Sequence, residues 1–208
     1  MKKLLILLFS LFFLSSPSVF ADNISDFEIE GISIGDSLLD YMTEDKILQE
    51  IEKTKNWYSY LNEPNKYSEI YLFKDFPTYD SLSFFVKNNS VNQYVTDINE
   101  KYTILFVRGL IDYIEDFDSC IQKRNEIAEV LSEMFPNAQK TERITKHSAD
   151  PSGRSIIDVV LFDLDSGARI ATNCQDFEET FRIEKKWSDT LNIAIQTEEV
   201  VSWFDDRY

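Results

Sequence analysis

Alternation of hydrophobic and polar residues divides much of the chain into β-strands. Between 191 and 195, a large aliphatic residue occupies every second position, which is the period of a strand with one buried face. Residues 102–107 are apolar on both faces, so we expect that strand inside the sheet and not at its edge. The pattern predicts seven strands, at 69–74, 82–87, 102–108, 139–146, 155–164, 169–174 and from 191 to about 203.

A helical period of apolar residues appears in the middle of the chain, where it predicts a long helix over 119–135. The residues on its apolar stripe are Cys120, Ile127, Leu131 and Met134. Two shorter helices are predicted near the N-terminus, one ending at Tyr41 and one over 43–53, because polar residues that can cap a helix precede each of them.

The order of these elements is a helix pair, three strands, a long helix and four strands. It predicts an α+β fold: an antiparallel sheet of about seven strands with a long helix and a short N-terminal helix pair on one face. Because a helical unit followed by strands occurs twice, the chain has two possible halves, 31–110 and 116–208.

Residues 1–21 are typical of a secretory signal peptide. Lys2 and Lys3 precede an apolar stretch, and Ala21 before Asp22 fits a cleavage site. The apolar stretch is shorter than the roughly 20 residues that span a bilayer. We therefore expect cleavage and export of a single domain, 22–208, to a bacterial periplasm; an uncleaved anchor is the alternative.

The chain is strongly acidic, with 21 Lys+Arg against 37 Asp+Glu and a formal net charge of -16. Such a chain is repelled by the phosphates of nucleic acids, so nucleic-acid binding is not expected. No later stretch predicts a transmembrane segment, because the most apolar one, 102–114, is interrupted by Arg108 and Asp112.

Only two cysteines are present, Cys120 and Cys174. Two thiols in an oxidising compartment usually pair. Cys120 lies on the inward stripe of the long helix, and Cys174 lies on the inward face of a strand. We therefore predict a disulfide that ties the helix to the sheet, with two free buried thiols as the alternative.

His147 is the single histidine, and Asp150 and Ser152 follow it in the same loop. Together they form a candidate nucleophile and base. A serine–histidine pair, however, needs side chains that converge from fixed elements, so a hydrogen-bonded loop histidine is the simpler interpretation. With one histidine and paired cysteines, no cofactor or His/Cys metal site is predicted.

Two further groups of residues are open to a functional interpretation. A dense acidic stretch would offer oxygen ligands to calcium, although a solvated loop that caps the long helix is the simpler interpretation; its members are Asp112, Glu115, Asp116 and Asp118. A tyrosine-rich run would suit a sugar- or peptide-binding groove, or half-buried strands; its members are Tyr58, Tyr60, Tyr67, Tyr71 and Tyr79.

Several segments resemble a group of exported proteins from AT-rich marine bacteria for which no activity is established. The matching segments are 32–41 (ISIGDSLLDY), Cys120 within its helix, 147 and 150–155 within HSADPSGRS, 174–176 and 187–198. The resemblance covers most of the chain after residue 21. It implies an exported location and a shared architecture, and no activity.

These observations favour a non-enzymatic periplasmic binding or interaction domain, stabilised by one disulfide, whose protein or envelope partner is unknown. The basis is a sheet-and-helix scaffold without a familiar catalytic motif. Two alternatives stay open: a hydrolase-like enzyme that uses His147 with a nearby carboxylate or serine, and a calcium-stabilised envelope protein.

Overall fold

The computed structural model describes residues 24, 27–57, 61, 67–74, 76–87 and 101–206. The predicted signal peptide, 1–21, and its cleavage site between Ala21 and Asp22 lie outside the described residues. So do Tyr58 and Tyr60 of the tyrosine-rich run.

The described residues form a small hairpin and one large antiparallel sheet. The hairpin pairs β1 (Glu28–Ile29) with β2 (Ile32–Ser33). The strands of the large sheet are β3 (Tyr67–Leu72), β4 (Ser81–Lys87), β5 (Ile104–Asp112), β6 (Gln139–Lys146), β7 (Ile156–Asp163), β8 (Arg169–Asp176) and β9 (Thr190–Gln196). Their spatial order is β3-β4-β5-β9-β8-β7-β6. The predicted α+β class and the seven-stranded antiparallel sheet are therefore confirmed.

Strands from the two predicted halves belong to this one sheet. β5, the last strand of the first half, pairs with β9, the last strand of the second, from Phe106↔Gln196 to Asp112↔Thr190. The two halves thus meet along the central strands: the last strand of each half is central, and β3 and β6 are the outer strands.

Within the described residues, four α-helices accompany the sheet: α1 (Glu44–Thr54), α2 (Phe117–Met134), α3 (Glu179–Lys185) and α4 (Glu198–Asp205). Side chains cap three of them, because Asp116, Glu178 and Thr197 each accept a hydrogen bond from a backbone N–H of the first turn. None of the helices among the described residues is long and apolar enough to cross a membrane.

The predicted arrangement of the helices is not confirmed. The first member of the N-terminal pair is a 3-10 turn of three residues, Leu38–Asp40. The predicted strand from 191 to about 203 is wrong in its second part, where β9 ends at Gln196 and α4 follows. The two adjacent valines of this segment favour a strand locally, but Thr197 caps a helix there and the apolar residues of that helix pack on the sheet.

Helices cover both faces of the sheet, whereas the sequence predicted helices on one face. On the first face, Ile47 of α1 and Leu131 of α2 join a core with inward residues of the strands such as Phe84 and Ile195. On the second face, Val200 and Trp203 of α4 pack on side chains of β3, β4 and β5: Tyr67, Phe85 and Phe106. Each face thus has its own apolar core.

The predicted disulfide is present. Cys120, in the first turn of α2, is bonded to Cys174 of β8, with a Cα–Cα distance of 6.0 Å and both residues buried. The sequence separation is 54 residues, and closing a loop of that length in the unfolded chain stabilises the fold by about 4 kcal/mol in the chain-entropy description. The bridge holds the start of α2 on the strands of the second half.

Candidate functional site

The loop that carries the predicted catalytic residues connects β6 to β7. Asp150 lies at its centre and is almost completely buried. Its carboxylate accepts four hydrogen bonds: from the N–H (2.8 Å) and hydroxyl (2.8 Å) of Ser152, and from the N–H (2.8 Å) and hydroxyl (2.7 Å) of Ser155. We refer to Asp150, Ser152 and Ser155 as the Asp150 turn.

These bonds determine the charge state of Asp150. Burial alone raises the pKa of this carboxyl group, but the four donors from Ser155 and Ser152 outweigh burial and hold its pKa far below the ordinary value. The carboxylate is therefore ionised at neutral pH, with its acceptor positions occupied by the loop itself. Such a group stabilises a turn and is poorly suited to accept a proton from a substrate.

His147 packs against aromatic rings at the base of the same loop. Its ring meets Phe177 edge-on at a centroid distance of 5.0 Å and Trp187 at 5.6 Å, and its Nδ1 accepts a hydrogen bond from the N–H of Ala149 at 3.3 Å. Burial lowers the pKa of His147, and the charge of Asp150 only partly opposes that effect. The imidazole is therefore neutral at pH 7 and is held by aromatic packing.

The structure brings His147, Asp150 and Ser152 into one loop, but it does not join them as a nucleophile and its base. The Ser152 hydroxyl donates to Asp150 and accepts from the N–H of Arg154 at 3.2 Å. The Ser155 hydroxyl donates to Asp150 as well. Among the described residues, no hydroxyl group hydrogen-bonds to His147, so the observed bonds favour the structural interpretation of this loop.

The acidic stretch considered for calcium is divided among different structural roles. Glu115 pairs with Arg182 at 3.1 Å, and Asp116 accepts the N–H of Ser119 at the start of α2. Within the part of the chain that the structure describes, no three His, Cys, Asp or Glu residues are arranged to hold a metal ion. These contacts favour the capping interpretation of the stretch over a calcium site.

Asp112 of the acidic stretch instead belongs to a group of carboxylates at one end of the central strands, a grouping that the sequence pattern did not reveal. Burial and the negative charges of Asp80 and Asp189 raise the pKa of Asp112 at the end of β5. Burial and Asp189 likewise raise the pKa of Asp176 at the end of β8. Asp189 itself accepts the N–H of Phe177 at 2.8 Å. The carboxylates of this region repel one another, and they would also repel a bound anion.

Two exposed aromatic residues and a buried tyrosine cluster beside β3, the outer strand at the other edge of the sheet from β6. We call Trp57, Tyr71 and Phe73 the aromatic patch. Trp57 follows α1 and Phe73 follows β3; they are 47% and 62% exposed. Tyr71 lies between them, with its ring centroid 5.6 Å from Trp57 and 6.0 Å from Phe73, the latter nearly parallel.

A lysine completes the aromatic patch. The Lys53 ammonium lies 5.4 Å from the ring centroid of Trp57 and 5.6 Å from that of Phe73, within the range of a cation–π attraction. Lys53 lies in the last turn of α1, and Trp57 lies three residues after the helix ends. The helix end and the strand end are thus joined through side chains at the surface.

Buried polar contacts hold the inner ring of the patch in place. The Tyr71 hydroxyl accepts a hydrogen bond from Arg108 Nη2 at 3.0 Å. The same guanidinium donates to Glu69 at 2.6 Å and to the Ser83 hydroxyl at 3.0 Å. On the α1 side, the Thr54 hydroxyl donates to the carbonyl oxygen of Glu69 at 2.6 Å. The aromatic patch is therefore attached to a fixed scaffold.

Sequence reasoning found only part of this patch. Tyr71 belongs to the predicted tyrosine-rich run, but its neighbours Trp57 and Phe73 were not singled out. Two other members of the run are placed elsewhere: Tyr67 is buried under α4 and donates to Glu199 at 2.8 Å, and Tyr79 packs against the backbone of β5.

Comparison with known proteins gives no further information on the site. No family model matches this chain, and no curated protein or solved structure matches it. The resemblance to exported proteins of marine bacteria therefore stays a prediction.

Proposed function

We propose that this protein is a non-enzymatic, exported interaction domain that binds a protein partner through the aromatic patch. The observation that carries the proposal is the exposure of Trp57 and Phe73 on either side of the Tyr71 ring. Exposed aromatic residues that cluster are characteristic of binding surfaces, and tryptophan and tyrosine contribute much of the affinity in protein interfaces.

The geometry of the patch also favours binding energetically. Tyr71 is fixed by Arg108, and Lys53 lies close to both outer rings. A partner would therefore meet rings that already have a preferred arrangement, so less side-chain entropy is lost on association. The lysine would supply a positive contact at the rim for a partner carboxylate or carbonyl oxygen.

The same considerations argue against the other classes of function. The net charge of -16 opposes binding to nucleic acids and anionic lipids. The Asp150 turn uses its carboxylate and hydroxyl groups internally, which argues against the hydrolase-like alternative. The disulfide and the character of residues 1–21 support a periplasmic location as part of the proposal.

Position-specific photo-crosslinking in intact cells tests the binding surface. A photoreactive residue replaces Phe73 in one strain and Ile183 of α3 in another; the two native side chains are 62% and 64% exposed, so the positions are matched in accessibility. We expect a discrete protein adduct from position 73 that is absent from position 183. Equal adducts at both positions, or none at position 73 from a folded and exported protein, would contradict the proposal.

Trp57→Ala provides the second arm of this experiment. It should remove the adduct formed at position 73 while it lowers the free energy of unfolding by only about 1 kcal/mol, because about half of the side chain is exposed and the rest contacts Tyr71 and Lys53. Export is tested separately: the intact mass of the protein released by osmotic shock should correspond to a chain that begins at Asp22. A full-length mass in the cytoplasm would contradict export without bearing on the patch.

A further inference from the structure

β6 is the outer strand of the sheet at the end opposite the aromatic patch. It pairs with β7 on one side, and no strand among the described residues pairs with its other side. None of its eight residues is buried. A strand in this position presents a row of backbone N–H and C=O groups to which another strand can bond.

The pairing with β7 shows which residues direct their backbone groups outward. The His147 N–H donates to the Ser155 carbonyl oxygen at 2.9 Å, so this pair, next to Lys146↔Ile156, is of the hydrogen-bonded type. Bonded and non-bonded pairs alternate along an antiparallel ladder. The even-numbered residues of β6 therefore direct their N–H and C=O groups away from β7; they are Lys140, Glu142, Ile144 and Lys146.

These four residues also share one face of the strand, and their side chains are unusual for a solvated edge. Ile144 is 66% exposed, and charged residues flank it on both sides along that face. Lysine at an edge commonly prevents unwanted pairing. An exposed isoleucine in the middle of the same edge has the opposite effect, unless another apolar side chain covers it.

The registers in which a second copy of β6 can pair with this edge differ in which side chains face each other. Pairing about Thr141 sets Lys140 opposite Glu142, but it leaves Ile144 opposite Ala138, which lies outside the strand. If two copies pair antiparallel about Glu142 or about Arg143, like charges face each other at the centre, and in the second case Lys140 also faces Lys146. If they pair about Ile144, the two isoleucines face each other, and Glu142 of each copy faces Lys146 of the other. Oppositely charged and apolar cross-strand pairs stabilise a sheet, and like charges destabilise it.

We infer that the protein forms a two-fold symmetric dimer in which β6 of one copy pairs antiparallel with β6 of the other, with Ile144 at the symmetry axis. The even-numbered residues, whose backbone groups face outward, then bond to each other across the axis, and the two sheets become one continuous sheet. An interface of this kind is isologous, as most dimer interfaces are. It lies at the opposite edge from the aromatic patch and is independent of the proposed partner binding.

Charge reversals test both the dimer and its register. The full-length coding sequence is expressed in an oxidising compartment, and the purified protein is studied by sedimentation at about 0.15 M salt, where the Debye length of about 8 Å screens the net charge of the copies. Lys146→Glu and Glu142→Lys should each raise the dimer Kd on the order of tenfold, since each places like charges opposite each other twice. The double variant restores opposite charges and should return the Kd to within about threefold of the original.

Arg143→Glu is the matched control. It makes the same change in net charge as Lys146→Glu, but in the inferred register it faces Thr145 of the other copy and not a charged residue. It should change the Kd by less than about threefold. Ile144→Lys should abolish the dimer, and the circular dichroism of every variant should match the original because the substituted side chains are exposed.

Three results would overturn the inference. The protein could sediment as a monomer up to the highest concentration studied, which leaves the edge solvated or open to a different chain. It could dimerise with no response to Lys146→Glu, Glu142→Lys and Ile144→Lys. Finally, Arg143→Glu could weaken the dimer as much as Lys146→Glu does, in which case net charge and not register controls association.

Discussion

The two outer strands of the sheet, β3 and β6, are protected in different ways. Five of the six residues of β3 are buried, whereas β6 has no buried residue. α1 lies along β3, where Thr54 bonds to its backbone, and on the other face the Tyr67 ring meets Trp203 of α4 at 4.8 Å. β6 instead relies on charged side chains. Covering an edge and charging it are two established ways to prevent uncontrolled strand pairing.

This difference changes what each edge can recognise. At β3 most residues are buried, so a partner meets side chains, and the exposed ones of the aromatic patch are Trp57 and Phe73. At β6 the backbone itself is accessible, so a partner can add a strand. The same sheet therefore ends in a side-chain surface on one side and a backbone surface on the other.

Removal of the disulfide should produce the largest difference in stability between the β6 side and the β3 side of the sheet. The disulfide joins α2 to β8, on the β6 side of the sheet. The double variant Cys120→Ala/Cys174→Ala should lose about 4 kcal/mol of unfolding free energy, measured by urea denaturation. Hydrogen exchange should increase more in β6–β8 than in β3 and β4. Equal increases on both sides would show that the bridge stabilises the sheet as a single unit.

Two arginine–carboxylate pairs allow the same comparison of the two sides. Removing the arginine of either pair should cost somewhat less stability than removing the disulfide. Arg108 pairs with Glu69 on the β3 side, and Arg124 pairs with Asp158 on the β6 side. The Glu69 side chain is fully buried, whereas that of Asp158 is 17% exposed. Arg108→Met should therefore cost about 3 kcal/mol, because it removes a positive charge from a buried carboxylate, and Arg124→Met should cost less.

The matched rescue is to neutralise the remaining partner. Glu69→Gln should recover part of the stability lost in Arg108→Met, because the amide carries no charge that burial penalises. Chemical denaturation of the two single variants and the double variant gives the coupling energy. A larger loss of unfolding free energy for Arg124→Met than for Arg108→Met would contradict the expectation that the ion pair on the β3 side is the more sensitive one.

Acid should produce the smallest effect, and it should begin on the β6 side. His147 and Asp150 lie in the turn that closes β6 and β7, and the folded-state pKa of each is below its ordinary value. Because the unfolded chain then binds protons more readily than the folded one, their stabilisation is complete above the ordinary pKa values, about 6.5 for His and 4 for Asp. It is lost as the pH falls through those values toward the lower folded-state values.

Thermal unfolding measured against pH tests this expectation. Asp150→Asn should flatten the decrease of Tm below about pH 4, and His147→Gln should flatten the shallower decrease between about pH 7 and 5. Asp112→Asn serves as a control of opposite sign: burial raises the pKa of Asp112, so its neutral replacement should raise the Tm at pH 7. A Tm that is independent of pH between 7 and 3 would contradict the assignment.

Local periodicity predicted most of the sheet. The strand at 139–146 is found with the predicted bounds, and the long helix predicted at 119–135 is found at 117–134. Periodicity succeeds here because one buried face repeats every two residues in a strand and every 3.6 in a helix. It failed after Gln196, where Val200 and Val201 favour a strand locally but belong to a helix that packs on the second face.

The candidate sites were less predictable, for physical reasons that particular residues illustrate. The loop with His147 was visible because unusual residue types are close in the sequence, but the hydrogen bonds that commit Asp150 to the turn depend on backbone geometry. Trp57 and Phe73 are separated by a helix end, a connection and a strand. Their proximity arises only when α1 packs beside β3, and no local pattern contains that information.

The amino-acid sequence by itself determined the class of fold, the seven strands, the long helix and the pairing of the two cysteines. Hydrophobic periodicity and capping residues act locally, and two cysteines allow only one pairing. Only the tertiary structure decided which strands form the edges, which face α4 covers and which exposed side chains meet at the surface. Those outcomes depend on contacts between distant segments, whose free energies are small individually and become decisive only when the chain packs as a whole.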